Sequence, residues 1–152
     1  FDTAREWPYG PQSAAALRFP YGVTSQGRLM AVADTANNRV LLYYGPPGGA
    51  GEGAQAVLDQ PDFASNGENR WTAVEDDSLC WPYGLWLHGS RLAVADSGNN
   101  RILVWDVGAH VAAARGGVAP EVAGAAGAGR APDHDSTTDR DDGGRGRAAA
   151  AE

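Results

Sequence analysis

Apolar residues in the first two thirds of the chain form short runs that are separated by clusters of Gly, Pro, Asp and Asn. Short runs rich in Val, Leu and aromatic residues, bounded by turn-forming residues, indicate β-strands. The predicted strands are Gly22–Ser25, Leu29–Ala33, Arg39–Tyr44, Ala54–Leu58, Gly84–Leu87, Arg91–Ala95 and Arg101–Val107. Leu29–Ala33 has no clean polar alternation, so we expect this strand to be buried on both faces.

The strand pattern occurs twice, without a gap. Pro20–Tyr44 (PYGVTSQGRLMAVADTANNRVLLYY) aligns with Pro82–Asp106 (PYGLWLHGSRLAVADSGNNRILVWD) at a shift of 62 positions (82 − 20). Self-similarity at such a period is the signature of solenoids and propellers, in which each unit buries its apolar face against its neighbours. Four antiparallel strands per unit predict a propeller blade. The fourth strand of the second unit is missing from the sequence.

The repeated P-Y-G followed by V-A-D-x-x-N-N-R-[VI] resembles the NHL repeat, and A-V-L-D-Q-P-D-F-A-S-N resembles the linker common in bacterial NHL proteins. The resemblance covers about residues 1–107, with Asp59 standing where the family's linker usually has Gly. It implies an all-β fold, a β-propeller fragment of NHL type with four-stranded antiparallel blades. The chain would contain fewer than two complete blades.

The predicted organisation has four parts. Residues 1–19 end a preceding inter-blade connection, 20–81 form the first blade with its linker, 82–107 form an incomplete second blade, and 108–152 form a disordered tail. The tail contains no Leu, Ile, Phe, Trp, Tyr or Met, so it cannot bury enough apolar surface to offset its backbone entropy. Two origins stay open for it: a natural low-complexity extension, or a GC-rich gene read out of frame after about Val107.

Charge and cysteine content narrow the possible partners. The formal net charge is −7, so bulk electrostatics give no support to a nucleic-acid or anionic-membrane partner. The apolar runs are much shorter than the roughly 20 residues that a transmembrane helix needs. The single cysteine, Cys80, excludes an intrachain disulfide and a multi-cysteine metal site. We expect no nucleic acid, no membrane and no cofactor.

One rim of the predicted propeller is the candidate binding face. In a four-stranded antiparallel blade, the connection to the next blade and the loop between the second and third strands lie on the same side. The linker 59–81 and the turns 34–39 and 96–101 should therefore share a rim suited to polar recognition with an aromatic anchor. The candidate binding residues are Gln60, Asp62, Asn66, Glu68, Asn69, Arg70 and Trp71.

The repeated D-x-x-N-N-R group admits two interpretations, a metal or anion site and a structural turn. Asp and Asn bond their own backbone and tolerate left-handed conformations, and Arg pairs with Asp. Because a residue needed in every blade is usually structural, we favour the turn. Its residues are Asp34, Asn37, Asn38, Arg39, Asp96, Asn99, Asn100 and Arg101.

Other side chains give weaker signals. Only His88 lies within a repeat, and a lone histidine lacks the convergent partners that a metal site needs, so we predict no catalytic residue and no metal. Trp86 and Trp105 occupy strand positions and are expected in the core. For Trp71, in a polar linker, partner contact and inward packing are equally favoured.

The predicted function is that of a non-enzymatic protein-binding or scaffolding module. The segments G-E-N-R-W and L-C-W-P-Y-G are similar to those of NHL proteins encoded beside redox enzymes such as nickel-iron hydrogenases, which implies an accessory role. The alternative is a propeller lyase or hydrolase whose metal or catalytic residues lie on blades absent here. RNA binding is a third candidate, disfavoured by the acidic charge. Open blade edges predict self-association.

Overall fold

The computed structural model describes residues 11–45, 47–49 and 51–116. Its strands are β1 (Pro20–Gln26), β2 (Leu29–Asp34), β3 (Arg39–Tyr44), β4 (Ala56–Leu58), β5 (Pro82–His88), β6 (Arg91–Asp96) and β7 (Arg101–Asp106). Short 3-10 helices occupy Thr35–Asn37 and Ser97–Asn99, and one α-helix, α1, spans Gly108–Ala114. Glu68–Trp71 is a tight turn in which Asn69, Arg70 and Trp71 have positive φ. The predictions for residues 1–10 and 117–152 lie outside the described residues.

The strands form two antiparallel sheets. The first has four strands in the order β1-β2-β3-β4, and the second has three in the order β5-β6-β7. Each sheet begins with a tight hairpin in which a glycine takes positive φ, Gly27 at 62° and Gly89 at 60°, a conformation that costs glycine little. The prediction of an antiparallel all-β architecture is confirmed, and the described residues form no closed barrel.

Six of the seven strands begin or end one or two residues from their predicted bounds, and the starts of β1, β4 and β5 differ most, by two residues each. β1 begins at Pro20 rather than Gly22, with an irregular register between Pro20 and Val23. β4 begins at Ala56 rather than Ala54. A side chain explains the late start of β4, because Gln55 Oε1 accepts the Tyr44 N–H at 2.7 Å where a backbone carbonyl would continue the ladder.

The main core lies between the two sheets. Leu29, Ala31, Val40 and Leu42 of the first sheet share one buried cluster with Leu87, Leu92, Val94 and Trp105 of the second. A smaller cluster covers the opposite face of the first sheet and contains Val32, Leu41, Tyr43, Ala54 and Val57. The first sheet is therefore covered on both faces, as predicted for its second strand, whereas the described residues cover the second sheet on one face only.

The two strand tryptophans lie on opposite faces of the second sheet. Trp105 is buried in the main core, as predicted. Trp86 is 59% exposed, so its assignment to the core is wrong. Trp86 pairs with Ala93 on the face that points away from the first sheet, where the described chain provides no covering layer.

The prediction of a disordered tail starting at residue 108 is wrong for residues 108–114, because α1 lies there. Val107 and Ala114 are buried in the main core and Val111 packs against it, a spacing of four and three residues that places all three on one helix face. Gly116, at φ 96°, follows the helix and donates its N–H to Ala113 O at 2.9 Å. The alanine-rich segment, which favours a helix, and the glycine that follows its end could have indicated this helix from the sequence.

Candidate functional site

The turn after β2 is built around a buried carboxylate. Asp34 Oδ1 accepts the Arg18 N–H at 2.6 Å, and Oδ2 accepts from Asn37 Nδ2 at 2.8 Å and from Arg39 Nε at 2.7 Å. Asn38 then takes the left-handed conformation, with φ 50°. Three hydrogen-bond donors offset the free-energy cost of burying this carboxylate, and two of them are side chains within five residues of it.

The turn after β6 repeats this network. Asp96 accepts the Cys80 N–H at 2.7 Å, Asn99 Nδ2 at 2.8 Å and Arg101 Nε at 2.8 Å. Asn100 is left-handed, with φ 55°. In both turns the arginine also donates to backbone carbonyls of the preceding connection. Those carbonyls belong to Ser13 and Ala16 for Arg39, and to Glu75 and Ser78 for Arg101.

The linker 59–81 lies at the same end of the sheets as these turns, and we call this end the linker rim. Asn38 Nδ2 donates to Asn66 O at 3.0 Å. Asn69 and Asn99 exchange two side-chain hydrogen bonds, at 2.8 and 3.2 Å. The linker is therefore fastened to both turns by amide side chains, which give directional contacts without buried charge.

Gln60 does not belong to the surface of the rim, and its prediction as an exposed binding residue is wrong. Its side chain is fully buried, and Nε2 lies within 2.9 Å of three acceptors. Those acceptors are Asn38 O, Asp59 Oδ2 and Gly67 O. Gln60 thus holds the start of the linker against the first turn, because a buried amide needs partners for its N–H groups.

Arg70 is also engaged within the linker. Its guanidinium contacts Asp77 Oδ1 at 2.5 Å and Glu75 Oε2 at 2.8 Å, and lies 3.7 Å from Asp59 Oδ1. The hydrogen bond from Arg70 lowers the pKa of Asp77. Of the predicted binding residues, Asn66, Asn69 and Arg70 are half-buried framework groups, and Asp62, Glu68 and Trp71 are exposed.

Trp71 is the most exposed large hydrophobic side chain on the rim, at 78%. Its indole lies over the backbone of Gly67, where a Cβ would meet the ring at 2.6 Å. Trp71 itself has positive φ, 61°, which is uncommon for a bulky residue. One face of the ring thus packs on Gly67, and the other face is exposed to solvent. Inward packing, one of the two predicted alternatives, does not occur among the described residues.

A row of aromatic side chains at the same end was not predicted. Phe19 and Tyr21 have ring centroids 6.1 Å apart, and Tyr21 meets Tyr83 edge to face at 4.6 Å. Trp81, the repeat equivalent of Phe19, donates its indole N–H to Glu68 Oε1 at 3.0 Å. The sequence feature that could have indicated this row is the repeated motif aromatic-Pro-Tyr-Gly. In the structure its aromatic side chains are exposed or half-exposed.

Asp59 combines burial with an unusual backbone. It is 2% exposed and has φ 80°, a region favouring Gly, the residue usual in the resembling linkers. Burial raises the pKa of this carboxyl to about 7, against the opposing effect of Arg70. Oδ1 has no hydrogen-bond partner in the described residues. Asp59 is therefore a poorly compensated buried acid in the network that holds the linker.

The remaining reactive side chains do not converge. Within the described residues, no group of three or more His, Cys, Asp or Glu could hold a metal ion. His88 lies at the turn opposite the linker rim, and His110 is hydrogen-bonded to the Tyr44 hydroxyl at 2.7 Å. Burial raises the pKa of the Cys80 thiol, which favours the less reactive thiol form.

Comparisons with known proteins add no family. No protein-family model matches this chain, and none of the curated proteins matches it significantly. The resemblance to the NHL repeat therefore stays a prediction. Across the residues that the structure describes, no helix has both the length and the apolar character needed to cross a membrane.

Proposed function

We propose that the chain is a non-enzymatic protein-docking module of NHL propeller type, and that it binds its partner through the linker rim. The observation that carries the proposal is the contrast within the rim. The amide and guanidinium groups of Gln60, Asn69 and Arg70 are hydrogen-bonded within the framework, while the rings of Phe19, Trp71 and Trp81 are exposed. Interface cores are enriched in such aromatic side chains, and Trp and Tyr dominate their energetics.

The charge of the rim favours a partner surface with basic side chains. Glu68 and Asp76 of the linker are exposed, and Glu68 contacts the edge of the Trp81 indole. An Arg or Lys side chain can interact with a ring face and a carboxylate at once. A redox enzyme to which this module is accessory, such as a hydrogenase, is the partner class that the NHL resemblance implies.

Site-specific photo-crosslinking tests this proposal. A photo-crosslinking residue is placed at position 71, on the rim, and in a matched variant at position 88, which is exposed at the opposite end of the sheets. Irradiation in the source cells should yield one predominant protein adduct from position 71 and none from position 88. Trp71→Ala should weaken binding of the identified partner at least about tenfold, since aromatic anchors contribute about 2 kcal/mol or more.

Adducts from position 88 alone, or unchanged affinity of Trp71→Ala, would contradict the proposal. The lyase or hydrolase alternative is addressed by metal analysis of the full-length parent. Stoichiometric zinc or calcium, together with hydrolytic or lyase activity, would favour that alternative over the docking module.

A further inference from the structure

The linker carries the one Asn-Gly pair of the sequence, Asn66-Gly67. Asparagine is a labile side chain, because the backbone nitrogen of the following residue can attack its amide carbon. Glycine in that following position removes the Cβ that would hinder the attack, and it lets the backbone reach the conformation that the attack needs. Each of the other asparagines is followed by Asn or Arg. Asn66 is therefore the asparagine that the sequence makes most reactive.

The structure leaves both reacting groups of this pair free of hydrogen bonds to the described residues. The Asn66 side chain has no such partner, and the Gly67 N–H donates to none of these residues. The pair lies between β4 and the tight turn Glu68–Trp71, outside any helix or strand. No hydrogen bond with this part of the chain therefore has to break before the nitrogen meets the amide carbon.

The other asparagines differ from Asn66 in their side-chain contacts or in the residue that follows them. Hydrogen-bonded side chains are found at Asn37, Asn38, Asn69 and Asn99. Asn100 resembles Asn66, since its side chain has no hydrogen-bond partner among the described residues, but an arginine follows it at the start of β7. Asn100 therefore separates the effect of the following glycine from that of a free side chain.

A neighbouring turn assists the first step of the reaction. Asn38 Nδ2 donates to the Asn66 carbonyl oxygen at 3.0 Å. This carbonyl belongs to the same peptide unit as the Gly67 N–H, which must lose its proton before the nitrogen becomes a nucleophile. A donor already directed at the oxygen stabilises the negative charge that the peptide unit then carries. The contact that fastens the linker to the first turn therefore also favours attack at Asn66.

We propose that Asn66 is a site of spontaneous deamidation, and that its isoaspartate product releases the start of the linker from the first turn. The Gly67 nitrogen gives its proton to solvent and bonds to Asn66 Cγ, and Nδ2 leaves as ammonia. Water then opens the resulting succinimide ring. Opening at the side-chain carbonyl gives aspartate, and opening at the main-chain carbonyl gives isoaspartate, in which the chain continues through Cγ. The reaction needs only the chain and water, so it does not rest on the proposed partner of the linker rim.

The isoaspartate product lengthens the main chain by one carbon between two anchoring contacts. The Asn66 carbonyl accepts from Asn38 Nδ2 at 3.0 Å, and the Gly67 carbonyl accepts from Gln60 Nε2 at 2.9 Å. The inserted carbon changes the separation of these two oxygens, so both hydrogen bonds cannot keep their geometry. The Trp71 ring, which packs on Gly67, shifts with them. Because the reaction is not reversed by water, the fraction of released linkers grows with the age of the molecule.

Mass spectrometry of protease digests tests the first step on the purified chain, kept at neutral pH and physiological temperature for several weeks. Asn66 should convert to aspartate and isoaspartate at least about tenfold faster than Asn100 in the same digest, as a lower activation barrier requires. Its rate should also lie within about tenfold of that in a synthetic peptide of residues 62–69, since a fold that leaves the pair free adds little to the barrier.

Asn66→Gln is the matched control. The longer side chain keeps the amide but closes a larger ring with the Gly67 nitrogen, so isoaspartate should disappear from the peptide that contains position 66. Conversion of Asn66 no faster than that of Asn100 would overturn the proposal. So would a rate in the folded chain that is slower than in the peptide by more than the stated factor, or an equal isoaspartate signal in Asn66→Gln.

Amide hydrogen exchange tests the release of the linker. The isoaspartate form is separated from the unmodified chain by its additional charge. In the unmodified chain the Asn69 N–H donates to Leu79 O at 2.8 Å. This N–H should exchange at least about tenfold faster in the isoaspartate form, because local opening becomes easier. Unchanged exchange at Asn69 would show that the linker stays fastened and would overturn the proposed release.

Discussion

The first and second sheets are formed by equivalent sequences, and their turns contain the same hydrogen-bond network. The two sheets differ in how far their strand residues are buried. Asp34 and Asp96 each accept from a backbone N–H, an asparagine and an arginine. The strand residues that follow differ in environment, since Val40 is in the core and Ile102 is exposed. The repeat thus specifies the turn, while burial of the strand depends on a neighbouring sheet.

One contact shows how a following connection completes a repeat. Arg39 donates to the carbonyl of Phe63 at 2.5 Å, in addition to its contacts with the preceding connection. The equivalent of Phe63 in the second repeat would be residue 125, outside the described residues. Arg101 keeps its other contacts and has a side chain 25% exposed, against 0% for Arg39. The second turn therefore has the same hydrogen bonds around its carboxylate as the first, but its arginine side chain is more exposed to solvent.

The largest difference between the two repeats should appear when each arginine is removed. Arg39→Ala leaves the Asp34 carboxylate buried without its cationic partner, a change that costs about 3–5 kcal/mol for a buried pair. Arg101→Ala should cost roughly half as much, because water reaches the Asp96 network. Urea unfolding at pH 7 measures both. Equal losses would show that coverage of the turn does not affect its contribution to stability.

The next effect concerns Asp59, whose linker occurs once in the described chain. Its pKa is raised from 3.8 to about 7 in the fold, so its contribution to stability is complete below pH 4 and is lost as the pH rises through 7. Asp59→Asn should abolish this loss and be more stable than the wild type at pH 8, by on the order of 3 kcal/mol. Urea unfolding between pH 4 and pH 8 provides the measurement.

Asp62→Asn is the control for that experiment. The Asp62 carboxylate is exposed, and hydrogen bonds from Ser65 and Ala64 lower its pKa, so its contribution to the pH dependence has the opposite sign. If Asp59→Asn and the wild type lose stability in parallel above pH 4, the carboxyl does not titrate in the way that its burial requires.

The smallest expected effect concerns Gly22 and its repeat equivalent Gly84. Gly22→Ala forces a Cβ against the Tyr83 carbonyl and should destabilise the fold by about 2 kcal/mol, as overpacking does. Gly84→Ala has room and should leave the stability of the monomer within about 0.5 kcal/mol of the wild type. Thermal unfolding at a concentration where the wild type is monomeric measures both. A Gly84→Ala variant as unstable as Gly22→Ala would mean that another segment lies as close to Gly84 as Tyr83 lies to Gly22.

Much of the strand pattern could be predicted because it depends on short-range chemistry. Short apolar runs and the Asp-Asn-Asn-Arg turn are local signals, and each predicted strand is found to within two residues at its ends. The turn forms from side chains within five residues of Asp34, so no distant contact was needed to anticipate it.

The surface of the candidate site was harder to predict. Gln60 and Trp71 both lie in a polar linker, and their sequence surroundings do not distinguish a buried amide from an exposed ring. Gln60 is buried because three acceptors from separate segments converge on it. Trp71 is exposed because its own local turn places it over Gly67. Helix α1 was not predicted because its apolar face is small and stabilises the helix only when it packs against the main core.

The sequence by itself determined the strands, the turns and the duplication, because these follow from backbone preferences and hydrogen bonds between near neighbours. The tertiary structure alone decided which equivalent residues are buried, since burial depends on a second surface that, among the described residues, covers the Val40 face of the first sheet and not the equivalent face of the second. Val40 and Ile102 follow the same turn motif. They differ because one has a sheet packed against it and the other, among the described residues, has none.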